Sequence, residues 1–145
     1  QLGAVVAGVE PSIATHYRRM GECLGLAFQI QDDVLGIWGD ASATGKPVAD
    51  DIRSRKKTLP VIYGLGQRGE MGDRLRLLYA RPSLTEAEVE EVASLLAAVG
   101  AREHAHQMAN AYLQQALSEL AAARPATEAA EALRELAHAL VQRAA

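Results

Sequence analysis

The chain has 145 residues, a formal charge of −3, 49% apolar and only 4% aromatic side chains. That is enough for one domain with a real core, too apolar for disorder, and without the clustered basic face a nucleic-acid surface needs. The lone Cys23 excludes an internal disulfide framework or a cysteine zinc cluster and fits a reducing cytoplasm, and no apolar run is long enough for a transmembrane segment.

Residues 1–8 read as the end of an apolar helix closed by Gly8, with no N-cap before it. The chain is therefore expected to be a piece of something longer, or to have had its N-terminus removed. Pro11 and Ser12 open a second helix that runs to Ile37 or Trp38, where Gly39-Asp40 breaks it. Residues 39–57 form the one long irregular stretch, with Gly45, Pro47 and alternating charges; loops of that length usually exist for function. Short helices follow at 58–66 and 73–79. After the break at Arg81-Pro82-Ser83, Thr85 with Glu88 three positions later forms a capping box for a helix ending near Gly100. The last two helices span 102–122 and 127–143, separated by Pro125. No strand-like alternation persists and nothing repeats, so the fold class is all-α and residues 1–145 read as part of a single domain.

The second helix carries the candidate site. Gln29, Asp32 and Asp33 stand at i, i+3 and i+4, on one face of an otherwise apolar helix. Carboxylates there are expensive to bury without a partner. Mg²⁺ is a natural one, because it takes oxygen ligands and completes its shell with water and substrate phosphate. The basic stretch downstream, ending in Lys56-Lys57-Thr58, then suits a diphosphate held by the same metal. Taken alone, each feature has a blander reading: an Asp-Asp pair as a solvated helix face, a lysine as a surface charge. Lys57, Arg53 and Arg55 are expected to face solvent. Phe28 is expected in the core, Cys23 as a small buried hydrophobe and Trp38 as a helix-end packing residue. His104 and His106 diverge on their helix, and His16 and His138 are isolated, so none makes a ligand pair.

The run Gly25-Leu26-Ala27-Phe28-Gln29-Ile30-Gln31-Asp32-Asp33 resembles the second aspartate-rich region of the trans-isoprenyl diphosphate synthases, the polyprenyl synthetase family. Gly39-Asp40, Thr44-Gly45-Lys46, Asp51-Ile52 and Lys56-Lys57-Thr58-Leu59-Pro60 follow in the family's order. The resemblance implies the C-terminal portion of an isoprenoid-synthase helical bundle. It implies a Mg²⁺-assisted prenyltransferase that ionises an allylic diphosphate and alkylates isopentenyl diphosphate, giving a linear isoprenoid diphosphate. Asp32 becomes the direct metal ligand and Asp33 a ligand to metal-bound water or a partner behind it. Lys46 and Lys56 hold the diphosphate, and Phe28 and Gln29 line the site near the reacting carbon. A homodimer formed through the upstream half is implied as well.

Two departures from the family pattern stand out. Gly36 occupies the place of the motif's last Asp, and the first aspartate-rich motif is not within the chain. About half an active site is therefore expected here, inactive on its own. Two other readings compete. A non-catalytic, prenyl-synthase-like regulatory or structural subunit would explain Gly36. A class I terpene cyclase would share the helical fold but usually carries an Asn/Ser/Glu metal triad instead of the Phe-Gln-x-x-Asp-Asp run. Product length depends on residues near the first motif.

Overall fold

The computed structural model describes residues 2–39 and 48–142, which form eight helices and no strand. The expected all-α class holds. The helices are α1 (Leu2–Val6), α2 (Pro11–Trp38), α3 (Asp50–Arg53), α4 (Leu59–Leu65), α5 (Glu70–Ala80), α6 (Glu86–Ala98), α7 (Ala101–Ala122) and α8 (Thr127–Gln142).

Proline at the first position of α2 presets the helical φ where no N–H is needed. The helix then runs 28 residues, about 42 Å at 1.5 Å per residue. Met20, Cys23, Ala27, Ile30, Val34 and Ile37 are all buried along it. Their alternating spacing of three and four is the stripe a helix needs to bury one face. On α7 the corresponding stripe is Ala101, Ala105, Ala109, Leu113, Ala116 and Leu120.

The chain divides into two compact units. The first comprises residues 1–29 with 108–143, the second residues 30–107. In the first, Met20 and Cys23 pack with Ala116 and Leu120, while Ala27 packs with Leu113, Ala137 and Val141. The second unit has the larger core, with Ile37, Ile52, Val61, Leu75, Leu78, Val92 and Leu96 at its centre. Each fully buried aliphatic side chain of this kind contributes roughly 1.5–3 kcal/mol relative to exposure. Trp38 packs against this core, and Cys23 is a buried free thiol, both as expected.

Helix boundaries follow local chemistry. The capping box at α6 forms in full: Thr85 accepts from the Glu88 N–H, and the Glu88 carboxylate accepts from the Thr85 N–H. Gly8 (φ 70°) and Gly100 (φ 78°) end α1 and α6 in the left-handed region that favours glycine. Two elements differ from expectation. Helix α5 begins at Glu70, three residues early, because Gly69 at φ 93° lets the chain turn into it there. The one-turn helix α3 lies inside the stretch read as irregular. Four residues are too few to show a period in sequence.

Candidate metal and diphosphate site

The one-turn helix α3 sets the geometry of the site. It closes with the Arg55 N–H donating to the Ile52 carbonyl (3.0 Å) and the Lys56 N–H to the Asp51 carbonyl (2.9 Å). These are the two bonds of a Schellman motif, whose left-handed residue is usually glycine. Here that residue is Arg55, at φ 58°. Its guanidinium donates to the carbonyls of Leu78 and Tyr79 at the end of α5 and lies 4.9 Å from the centre of the Tyr79 ring. A side chain expected in solvent thus holds a strained backbone in place. Arg53 and Lys57 are exposed, as expected, and Arg53 pairs with Glu86.

The turn at Arg55 directs Lys56 back towards α2. Its Nζ donates to Asp33 Oδ1 at 3.0 Å and to Asp51 Oδ2 at 3.2 Å. Partial burial disfavours the ammonium, but the hydrogen bonds to Asp33 and Asp51 outweigh it and leave the Lys56 pKa above its ordinary value. The other Asp33 oxygen, Oδ2, accepts the Leu59 N–H at 3.2 Å, the first of helix α4. Thr58, the N-cap of α4, makes no side-chain cap, so Asp33 does that work from another helix. Thr58 is 1% exposed, and its hydroxyl has no hydrogen-bond partner among the described residues.

Neighbouring residues on a helix point about 100° apart. Asp33 is accordingly turned inward and 8% exposed. Asp32 is exposed, and no described residue is bonded to it. Asp32, exposed beside this cluster, offers a carboxylate to a cation. The donor set fits Mg²⁺, a hard cation that commonly takes one or two carboxylates and leaves the rest to water and phosphate. No group of three or more acidic, His or Cys residues able to cage a metal occurs among the described residues.

The other predicted site residues fall differently. Lys46 lies outside the described residues, as do Asp40, Thr44 and Gly45. Phe28 is 43% exposed, so it is not the core residue its type suggested. It and Gln29, also exposed, belong to the first unit. His16 is not isolated: its Nδ1 lies 2.6 Å from Glu119 Oε2. His104 stacks on Tyr63 with ring centres 4.2 Å apart. Asp51 is the member of this candidate cluster that sequence reasoning missed. Its place five residues before Lys56, within a motif matched in order, was the available signal.

A profile of the polyprenyl synthetase family matches residues 1–96. Among curated relatives, a geranylgeranyl diphosphate synthase of Mycobacterium tuberculosis is 41% identical over 120 residues, covering 82% of this chain and 34% of that one. A (2E,6E)-farnesyl diphosphate synthase of Mycobacterium bovis is 38% identical over 153 residues, covering 100% and 42%. The chain thus spans less than half the length of these relatives. Among solved structures, a polyprenyl synthetase from Streptomyces coelicolor superposes with a TM-score of 0.91 at 36% identity, covering 96% of this chain and 43% of that one. A geranylgeranyl pyrophosphate synthase from Corynebacterium glutamicum, complexed with isoprenyl diphosphate and magnesium, gives 0.86 at 30% identity, covering 98% and 41%.

Proposed function

Because the chain belongs to the polyprenyl synthetase family, we propose that it supplies the diphosphate-ionising part of a trans-prenyltransferase. That enzyme elongates an allylic diphosphate with isopentenyl diphosphate. The observation that carries the reading is the Asp33–Lys56–Asp51 knot beside Asp32, which no described residue engages. Lys56 uses two of its three N–H donors on carboxylates and is 44% exposed, so the third remains to donate to a diphosphate oxygen. As the C–O bond of the allylic substrate breaks, negative charge gathers on the leaving diphosphate. An ammonium already fixed nearby lowers that barrier without having to reorganise. Asp32 offers its carboxylate to the divalent cation. Mg²⁺, when bound, would neutralise the diphosphate charge as a Lewis acid. The Corynebacterium glutamicum synthase, complexed with both magnesium and isoprenyl diphosphate, supports that choice.

For Lys46, Phe28 and Gln29 the support is their place in the motif. The cytoplasmic assignment rests on a lone cysteine, and no helix of the described residues is long and apolar enough to cross a membrane. A homodimer is one way to complete the assembly. A two-component enzyme is another, since one relative, 34% identical, is named heptaprenyl diphosphate synthase component 2 of Geobacillus stearothermophilus. The relatives' names as prenyl diphosphate synthases favour elongation over cyclisation.

The test is made on the complete gene product that contains this chain. Incubation with Mg²⁺, isopentenyl diphosphate and an allylic diphosphate should give a longer linear diphosphate by mass spectrometry. Lys56→Ala should slow turnover and weaken allylic diphosphate binding, since it removes a point charge from the leaving group. Lys57→Ala, on an exposed side chain, should do little. A critical Lys57 with a dispensable Lys56 would overturn the assignment.

A further inference from the structure

Gly36 stands one turn beyond Asp32-Asp33, where the family pattern has its last Asp. A Cβ built there would lie 2.5 Å from Asp51 Cγ and 3.0 Å from Asp51 Oδ1. The Asp51 carboxylate therefore fills the space that any side chain at position 36 would need. Asp51 is 8% exposed, and its Oδ2 accepts from Lys56 Nζ at 3.2 Å. We propose that Gly36 and Asp51 are a matched pair that positions Lys56. The missing side chain admits the Asp51 carboxylate, and that carboxylate with Asp33 fixes the ammonium for diphosphate. Gly36 is then a steric requirement of this site and not a lost ligand. The proposal rests on the reading that Lys56 binds diphosphate.

A lysine ammonium is a compact charge on a flexible stem. With two acceptors at 3.0 and 3.2 Å it has one place to sit. With Asp33 alone it can swing about a single contact. A side chain at position 36 must displace Asp51, because its carboxylate is already packed against α2. Gly36→Asp, which restores the familiar pattern, should for that reason impair the protein.

The pair is tested on the complete gene product by crossing Gly36→Ala with Asp51→Ala. Alanine is the better helix former, so with Asp51 truncated Gly36→Ala should raise the melting temperature. With Asp51 present it should lower it. The same sign in both backgrounds overturns the pairing, and this thermal result does not depend on any activity. The functional arm measures binding of inorganic diphosphate in excess Mg²⁺ by calorimetry. Gly36→Ala and Asp51→Ala should each weaken it by about tenfold, the scale seen when a group that orients a ligand is removed. The double variant should bind no worse than the weaker single. In a Lys56→Met background neither should weaken binding further, whereas general structural damage would. Additive losses there overturn the positioning role. A wild-type protein that binds no Mg²⁺-diphosphate overturns the functional reading itself, a result distinct from a missing sign reversal in the thermal cycle.

Discussion

Asp32 and Asp33 are adjacent in sequence, yet one is exposed and engaged by no described residue, while the other is buried between Lys56 and the Leu59 N–H. Their substitutions should therefore separate activity from stability. Asp32→Ala should leave unfolding within about 0.5 kcal/mol of wild type, as for most surface changes. It should cost turnover at least ~3 kcal/mol, the loss expected when one charged contact to the transition state is removed. Asp33→Ala should also destabilise the fold, by roughly 1–3 kcal/mol, because it strands a donor on α4 and one bond of Lys56. Urea unfolding set beside elongation kinetics checks both, and a stability loss at Asp32 equal to that at Asp33 would contradict the assignment. Arg55 offers a second separation. At φ 58° a Cβ is strained, but the guanidinium bonds α5 carbonyls and covers the Tyr79 ring. Arg55→Ala keeps the strain and loses the anchors. Arg55→Gly loses the anchors but relieves the strain, so it should be the milder change by about 1 kcal/mol. If Ala is as stable as Gly there, the left-handed backbone is not what the side chain is holding.

Among the elements, α6 shows how much of a helix can be written at its start. The Glu88 carboxylate accepts from both the Thr85 N–H and the Thr85 hydroxyl, at 2.8 and 2.9 Å. The backbone bond, then the hydroxyl bond, then Arg81 and Arg74 hold the Glu88 pKa below the ordinary carboxylate value. A group depressed in the folded state stabilises above its unfolded pKa and loses that contribution as pH falls through the folded value. The melting-temperature gap between wild type and Glu88→Ala should thus be full at neutral pH and close below the carboxylate range. A gap that persists at low pH would show packing, not charge, at the helix start. This cap was legible because Thr85 and Glu88 are three apart and everything they need is local. The second helix was legible for the same reason: its stripe and its Pro11 lie within one element. Helix α3 and the Arg55 turn were not. Arginine in a left-handed position gives no turn signal, and what holds it comes from α5, more than twenty residues away. The contact between Gly36 and Asp51 was equally hidden, since a sequence records the absence of a side chain but not what fills the gap.

On the scale of the whole molecule, the family was legible from ordered motifs over about three dozen residues, whereas what completes the site cannot be read from this chain. The curated relatives are covered over only 34% and 42% of their length. The family resemblance calls for two aspartate-rich motifs, and the chain contains the second. Leu2, Val5 and Val6 on α1, with Leu26 and Phe28 on α2, are between 43% and 83% exposed. Large exposed apolar faces favour association with another surface. The 145-residue polypeptide alone should therefore form no elongated product, even in excess Mg²⁺. With Asp32, Asp33 and Lys56 in place it should still bind Mg²⁺-diphosphate weakly, and it should self-associate as its concentration rises. Calorimetry and sedimentation check the second and third expectations. For the first, the purified polypeptide is incubated with isopentenyl diphosphate and an allylic diphosphate, and its intact mass excludes any longer contaminant. Product formed under those conditions would mean that these residues contain the whole catalytic apparatus, and that the first aspartate-rich motif is not needed for ionisation.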